Sequence, residues 1–148
     1  MNQKEQIEYL LSQQSYTVPV RSDEDRKEAQ KIIMELGVRE GSQFYELYSK
    51  YFMESLDHRG GTSSIIDPLP DGFSYEYFQF AWGLPDNYIL FTTGEGEGGY
   101  LYETQEEKVW DFNLGEREQL LAGTLPHWNS FYDFMLWYLQ SDKDVDDD

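Results

Sequence analysis

The sequence contains no cysteine and only two histidines. Without cysteine, the chain can form neither a disulfide nor a thiolate zinc site, and it has no cysteine nucleophile. His58 and His127 lie far apart and lack the companion spacing of metal ligands, and two histidines give little basis for a Ser-His-Asp triad. We therefore expect neither a histidine-based metal site nor triad chemistry.

Long hydrophobic segments are also missing. No apolar run approaches the length that crosses a bilayer. The N-terminal stretch MNQKEQIEYLL lacks the basic segment and following apolar segment of a secretory signal. Together with the absence of cysteine, this predicts a cytoplasmic protein that makes no membrane contact.

Basic residues are scarce in the second part of the chain. The 148 residues carry a net charge of -18, and residues 60–148 contain 3 Lys and Arg against 18 Asp and Glu. We expect no direct binding of nucleic acid, because phosphate contacts need clustered Lys and Arg. The charge favours a basic protein partner, although acidity can also serve solubility alone.

Hydrophobic spacing predicts helices in the first part of the chain. Apolar residues over 3–13 have the spacing of one helix. A second helix is predicted to begin after Ser22, its N-cap, and to end at Gly37. A third helix is predicted to start near Ser42, and a last one at Ser130.

Strand-forming residues follow the first three helices. The predicted strands are Ser64–Asp67, Phe73–Trp82, Tyr88–Thr92, Tyr100–Thr104 and Lys108–Phe112. This order of elements, in which helices come first, the strands follow together and a helix comes last, indicates an α+β fold with a mainly antiparallel sheet. We expect a single domain over residues 1–140 and an acidic, disordered tail over residues 141–148.

The stretch GEGEGGY, residues 94–100, matches the G-x-G-x-x-G pattern of dinucleotide-binding loops. Such a loop leads from a strand into a helix, whose N-terminus binds the pyrophosphate. Here strand residues stand on both sides, and the variable positions are Glu95 and Glu97, which would repel a pyrophosphate. The pattern therefore predicts a connection between two strands and no nucleotide cofactor.

Two further acidic patterns have weak chemical interpretations. Asp142, Asp144 and Asp146 copy the opening of an EF-hand loop, but the loop glycine is missing and no glutamate stands at the bidentate position, so no structured metal site is expected. Glu95, Glu97 and Glu103 could supply the paired carboxylates of a glycosidase. A glycine-rich tip would leave them solvated, whereas a general acid needs a pKa raised by burial.

Several aromatic and glycine motifs together resemble the SUKH superfamily. They are Glu35-Leu-Gly37 before a helix with Phe44, Trp82-Gly-Leu-Pro-Asp-Asn-Tyr-Ile-Leu, Gly-Glu-Gly-Gly-Tyr-Leu-Tyr at 96–102, Val109-Trp110-Asp111, and Trp128-x-Ser130-Phe-Tyr-Asp-Phe134. The resemblance runs from about residue 25 to residue 140. Arg39-Glu40-Gly41-Ser42 replaces the Leu-Pro that usually precedes the third helix.

The resemblance implies an immunity protein, since many SUKH members are encoded beside bacterial polymorphic toxins. Within the superfamily, the chain is most similar to partners of LXG-type toxins, many of which are nucleases. Such a protein binds and blocks a toxin domain and has no catalytic residues or cofactor. Yeast regulators of cell-wall synthesis share the domain, so a regulatory scaffold without a toxin partner is the alternative.

Candidate contact residues lie in the acidic strand half. They are Glu95, Glu97, Glu103, Glu106 and Glu107, with Tyr100 or Tyr102 as an aromatic anchor. Acidic side chains can match a nuclease, whose active surface is basic because it binds phosphates. The same glutamates could instead lie on a solvent-exposed edge of the sheet, where their charge prevents aggregation.

Overall fold

The computed structural model describes residues 2–54, 56–58, 63–69, 73, 81–93 and 98–140. In these residues the chain has the predicted α+β class, with helices before the sheet and one helix after it. The elements are α1 (Gln3–Ser12), α2 (Asp23–Glu35), α3 (Gln43–Lys50), β1 (Tyr88–Leu90), β2 (Gly98–Glu103), β3 (Val109–Asn113), α4 (Arg117–Ala122), β4 (His127–Trp128) and α5 (Phe131–Leu139). No helix in the described residues is long and apolar enough to cross a membrane.

Serine side chains begin three of the helices, as the sequence predicts. Ser22 accepts a hydrogen bond from the backbone of Asp25, Ser42 from that of Tyr45, and Ser130 from that of Asp133. Each bond satisfies a donor that the first helical turn leaves without a partner. Gly37 follows α2 with φ of 102°, a conformation that glycine adopts without a Cβ clash.

The four strands form an antiparallel sheet in the order β1-β2-β3-β4. The three strands predicted between residues 88 and 112 are confirmed with shifted ends. Of Ser64–Asp67, only Ile65 pairs, in an isolated bridge to Thr92. Phe73–Trp82 lies mostly outside the described residues, and the three that are described are not in a strand.

Two short elements were not predicted from the sequence. α4 has six residues and a single buried side chain, Leu120, so it has no apolar periodicity to detect. β4 has two residues and is defined only by its pairing with β3. Both complete the sheet: β4 extends it, and α4 covers its second face.

Apolar side chains fill both faces of the sheet. Tyr100, Tyr102 and Val109 pack into the larger core with α1, α3 and α5. The alternate residues of the same strands, including Leu101 and Trp110, form a second core with Leu120 of α4. The two-residue period of a strand therefore sends successive side chains into two different cores.

Candidate partner-binding surface

The turn between β2 and β3 carries three of the predicted contact residues, Glu103, Glu106 and Glu107. The backbone N–H of Glu103 donates to Lys108 at 2.9 Å, and that of Glu107 donates to Glu103 at 2.9 Å. These bonds close the hairpin and confirm that Glu106 and Glu107 lie in the connection between the two strands.

Glu103 is buried and organises this turn. It is 5% exposed, and its carboxylate accepts hydrogen bonds from Asn87 Nδ2 at 2.9 Å, the backbone of Gln105 at 2.7 Å and the backbone of Glu106 at 2.5 Å. Three donors satisfy a carboxylate that would otherwise be costly to bury. Glu103 therefore has a structural function and presents no free face to a partner.

Glu107 occupies a backbone conformation that normally favours glycine. Its φ is 64°, and its carboxylate accepts hydrogen bonds from Arg39 at 3.1 Å and Tyr102 Oη at 3.4 Å. Arg39 also donates to the carbonyl of Gln105 at 2.9 Å. These contacts attach the hairpin to the segment between α2 and α3.

The charges at the tip of the hairpin largely compensate each other. Glu106 is exposed and lies 3.1 Å from the ammonium of Lys108, while Glu107 is paired with Arg39. Exposed pairs of this kind contribute little to stability. The tip itself is therefore less negative than its sequence suggests.

The two predicted aromatic anchors lie in the core. Tyr100 is 7% exposed and Tyr102 is 1% exposed, and the ring of Tyr102 stacks on Phe44 with centroids 4.3 Å apart. Burial raises the pKa of Tyr100 to about 12 and raises that of Tyr102 further. As placed here, neither ring offers an exposed anchor, and both support the sheet from inside.

Strands stand on both sides of residues 94–97, as predicted, and the last three residues of the glycine-rich stretch, Gly98, Gly99 and Tyr100, belong to β2. Glu95 and Glu97 are outside the described residues, and so is the tail. A Cβ added at Gly99 would lie 2.6 Å from Leu90 Cδ1 and 3.0 Å from the carbonyl of Thr93. The close approach of the two strands therefore explains this glycine without any ligand.

Sequence reasoning missed a half-buried carboxylate on β3. Asp111 lies opposite Tyr100 in the β2–β3 register, on the face of the sheet that packs against the helices. Burial, and after it repulsion from Glu116, raises the pKa of Asp111. The signal was present in Val109-Trp110-Asp111-Phe112, where an acidic residue interrupts an apolar strand.

Aromatic rings continue from Tyr100 away from the buried core. Its centroid lies 5.7 Å from that of Trp128 and 6.0 Å from that of Trp137, and the two indoles are 4.8 Å apart. Both tryptophans are partly exposed. Asp111 and the partly exposed Trp128 therefore lie on the same face of the sheet.

Other arrangements with possible chemistry are less complete. His58 Nε2 lies 3.2 Å from Ser64 Oγ, but the carboxylate of the neighbouring Asp57 accepts a hydrogen bond from the backbone of Ser15. Among the described residues, no three His, Asp or Glu side chains are grouped in a way that could hold a metal ion.

Comparisons with protein-family models, with curated proteins and with solved structures give no significant match. The resemblance to the SUKH superfamily therefore stays a prediction from the sequence motifs.

Proposed function

We propose that this chain is an immunity protein that binds a basic toxin domain, in particular a nuclease of the LXG type, and blocks its activity. The observation that carries the proposal is the uncompensated charge of the strand half. In residues 81–93 and 98–140, eight Asp and Glu stand against two basic residues, Lys108 and Arg117.

Both of these cations already have partners within the chain. Lys108 pairs with Glu106 at 3.1 Å, and Arg117 Nε donates to the carbonyl of Gly83 at 2.6 Å. They leave Asp111, Glu116 and Glu118 without ion pairs among the described residues. Such a surface attracts a positively charged protein and speeds its association.

Binding without catalysis fits the placement of Glu103. Glu103 is one of the three carboxylates that a glycosidase could use, and its oxygens accept three hydrogen bonds that hold the turn. An inhibitor needs only a complementary surface that covers the functional surface of its target. The cytoplasm of the cell that makes the toxin is where this protection is required.

Co-expression tests the proposal. Cells that express the toxin domain encoded beside this chain's gene should survive when the chain is also expressed, and the two proteins should elute together from a sizing column. The variant for comparison is a chain in which Glu116 and Glu118 are both replaced by lysine. It should fold but associate more slowly, with a weaker dependence on salt. Death at the same rate with and without the chain, and no complex on the column, would instead favour a scaffold without a toxin partner.

A further inference from the structure

We infer that Asp111, Trp128 and Trp137 form the docking position for an arginine side chain of a basic protein partner, and that the buried ring of Tyr100 holds the two indoles in place from below. These four residues are called the Asp111 site below. The identity of the partner as a toxin rests on the proposed function, whereas the chemistry of the Asp111 site does not.

Strand register places the four side chains on one face of the sheet. Asp111 is paired with Tyr100 on β2, and Val109, two residues before Asp111, is paired with Trp128 on β4. Residues two apart on a strand point to the same face. Trp137 reaches this face from α5, with its ring 4.8 Å from that of Trp128.

Asp111 differs from the other carboxylates that the fold encloses. Asp67 is paired with Arg21, Glu103 accepts three hydrogen bonds, and Asp133 accepts one from Gln3 Nε2 at 2.6 Å. In the described part of the chain, the carboxylate of Asp111 accepts no hydrogen bond from a side chain and forms no ion pair. A partly buried carboxylate without a donor is costly, and a donor from outside would satisfy it.

The surroundings of Asp111 select for a cation. The charged group that acts on it is Glu116. Glu116 Oε1 accepts hydrogen bonds from the backbone N–H of Asn113 at 3.0 Å and from Asn113 Nδ2 at 3.2 Å. Neither carboxylate forms an ion pair with a Lys or Arg of the described residues, so together they leave a local negative potential. The partly exposed indole rings of Trp128 and Trp137 add to this attraction through their electron-rich faces.

Arginine fits these features better than lysine does. Its planar guanidinium can donate two parallel hydrogen bonds to a carboxylate while one face of the plane stacks on an aromatic ring. Trp and Tyr are also the side chains that most often dominate binding energy at protein interfaces.

A peptide titration tests the site without any toxin. The probe is acetyl-Gly-Arg-Gly-amide, and its control is the same peptide with citrulline, which keeps the shape of arginine but carries no charge. NMR signals of the Trp128 and Trp137 indoles should shift saturably with the arginine peptide and not with the citrulline peptide. Asp111→Asn should weaken this binding about tenfold. Glu28→Gln, which removes an exposed charge on α2, should leave it nearly unchanged. Equal shifts with both peptides, or full binding to the Asp111→Asn protein, would overturn the inference.

The toxin complex separates this inference from the proposed function. If a complex forms, Asp111→Asn should raise its dissociation rate about tenfold. A complex with an unchanged dissociation rate overturns the Asp111 site but leaves the immunity function in place. Binding of the arginine peptide without any toxin complex supports the site and removes the toxin as its partner.

Discussion

Arg21 and Asp67 form an ion pair whose side chains are 1% and 2% exposed. Arg21 Nε also donates to the carbonyl of Tyr48 at 2.6 Å, and Asp67 accepts a hydrogen bond from the backbone of Leu69 at 3.0 Å. The pair attaches residues 63–69 to the end of α3. Because each charge is buried, each depends on the other for its solvation.

Replacing Arg21 should be far more harmful than replacing an exposed arginine. Arg21→Gln leaves Asp67 buried without its cation and should lower the free energy of unfolding by about 3–5 kcal/mol. The matched control is Arg26→Gln, since Arg26 pairs with Asp23 on the surface at 2.9 Å. That change should cost less than about 1 kcal/mol. Urea denaturation of both variants measures the difference, and equal losses would show that the buried pair is dispensable.

Glu103 should matter for stability although it lies among residues expected to contact a partner. Glu103→Ala leaves the backbone donors of Gln105 and Glu106 and the amide of Asn87 without their acceptor, at an expected cost of about 1–3 kcal/mol. Glu106→Ala, at the exposed position of the same turn, should change stability by about 0.5 kcal/mol or less. Hydrogen exchange at the amides of Gln105 and Glu106 should accelerate only in Glu103→Ala. Unchanged exchange there would contradict the assigned hydrogen bonds.

Gly99 should be intolerant of even one methyl group. The added carbon of Gly99→Ala would lie 2.6 Å from Leu90 Cδ1, 2.9 Å from Thr92 Oγ1 and 3.0 Å from the carbonyl of Thr93, so these side chains or the backbone beside them must shift. We expect a loss of about 1–3 kcal/mol, the usual cost of overpacking. Gly41→Asn is the control, because no atom lies within 4 Å of an added Cβ there and asparagine tolerates its positive φ. A thermal melt of Gly99→Ala that matches the wild type would argue against the close approach of β1 and β2.

Asp111 should reduce stability at neutral pH. Its pKa in the folded protein is raised above 3.8, so the folded protein binds this proton more tightly than the unfolded chain does. The free energy of unfolding therefore falls as the pH rises from the pKa of Asp111 in the unfolded chain to its higher pKa in the folded protein. The loss is complete at neutral pH. Asp111→Asn avoids this loss and should be more stable than the wild type near pH 7. The difference in stability between the two proteins should disappear as the pH falls towards 3.8.

Urea denaturation at several pH values measures this effect. An Asp111→Asn protein that is less stable at neutral pH, or a difference that does not change with pH, would contradict it. A residue that lowers stability in this way is typical of binding and catalytic positions.

Local signals in the sequence were enough to predict much of the fold. The N-caps at Ser22, Ser42 and Ser130 were predictable because a serine hydroxyl acts on a donor only three residues away. Strands β1 to β3 were predictable from their β-branched and aromatic residues. β4 was not, because two residues carry no period and its pairing with β3 is a tertiary contact.

The candidate contact residues show what a strand pattern leaves open. Alternation indicates which side chains share a face, but it does not indicate whether that face is covered. Here helices cover the face of Tyr100 and Tyr102, and α4 covers the other, so both predicted anchors are buried. The function of Glu103 depends on Asn87, a residue 16 positions away that only the folded sheet brings near.

The most direct test of the proposed immunity function is a titration of the toxin domain that this proposal expects the neighbouring gene to encode. The measurement is the enzymatic activity of the purified toxin domain while this protein is added in increasing amounts. An immunity protein that binds tightly should reduce the activity linearly to a minimum at one equivalent, and Asp111→Asn should need a larger excess. Toxin activity that stays unchanged at a large excess of the wild-type protein would contradict the account.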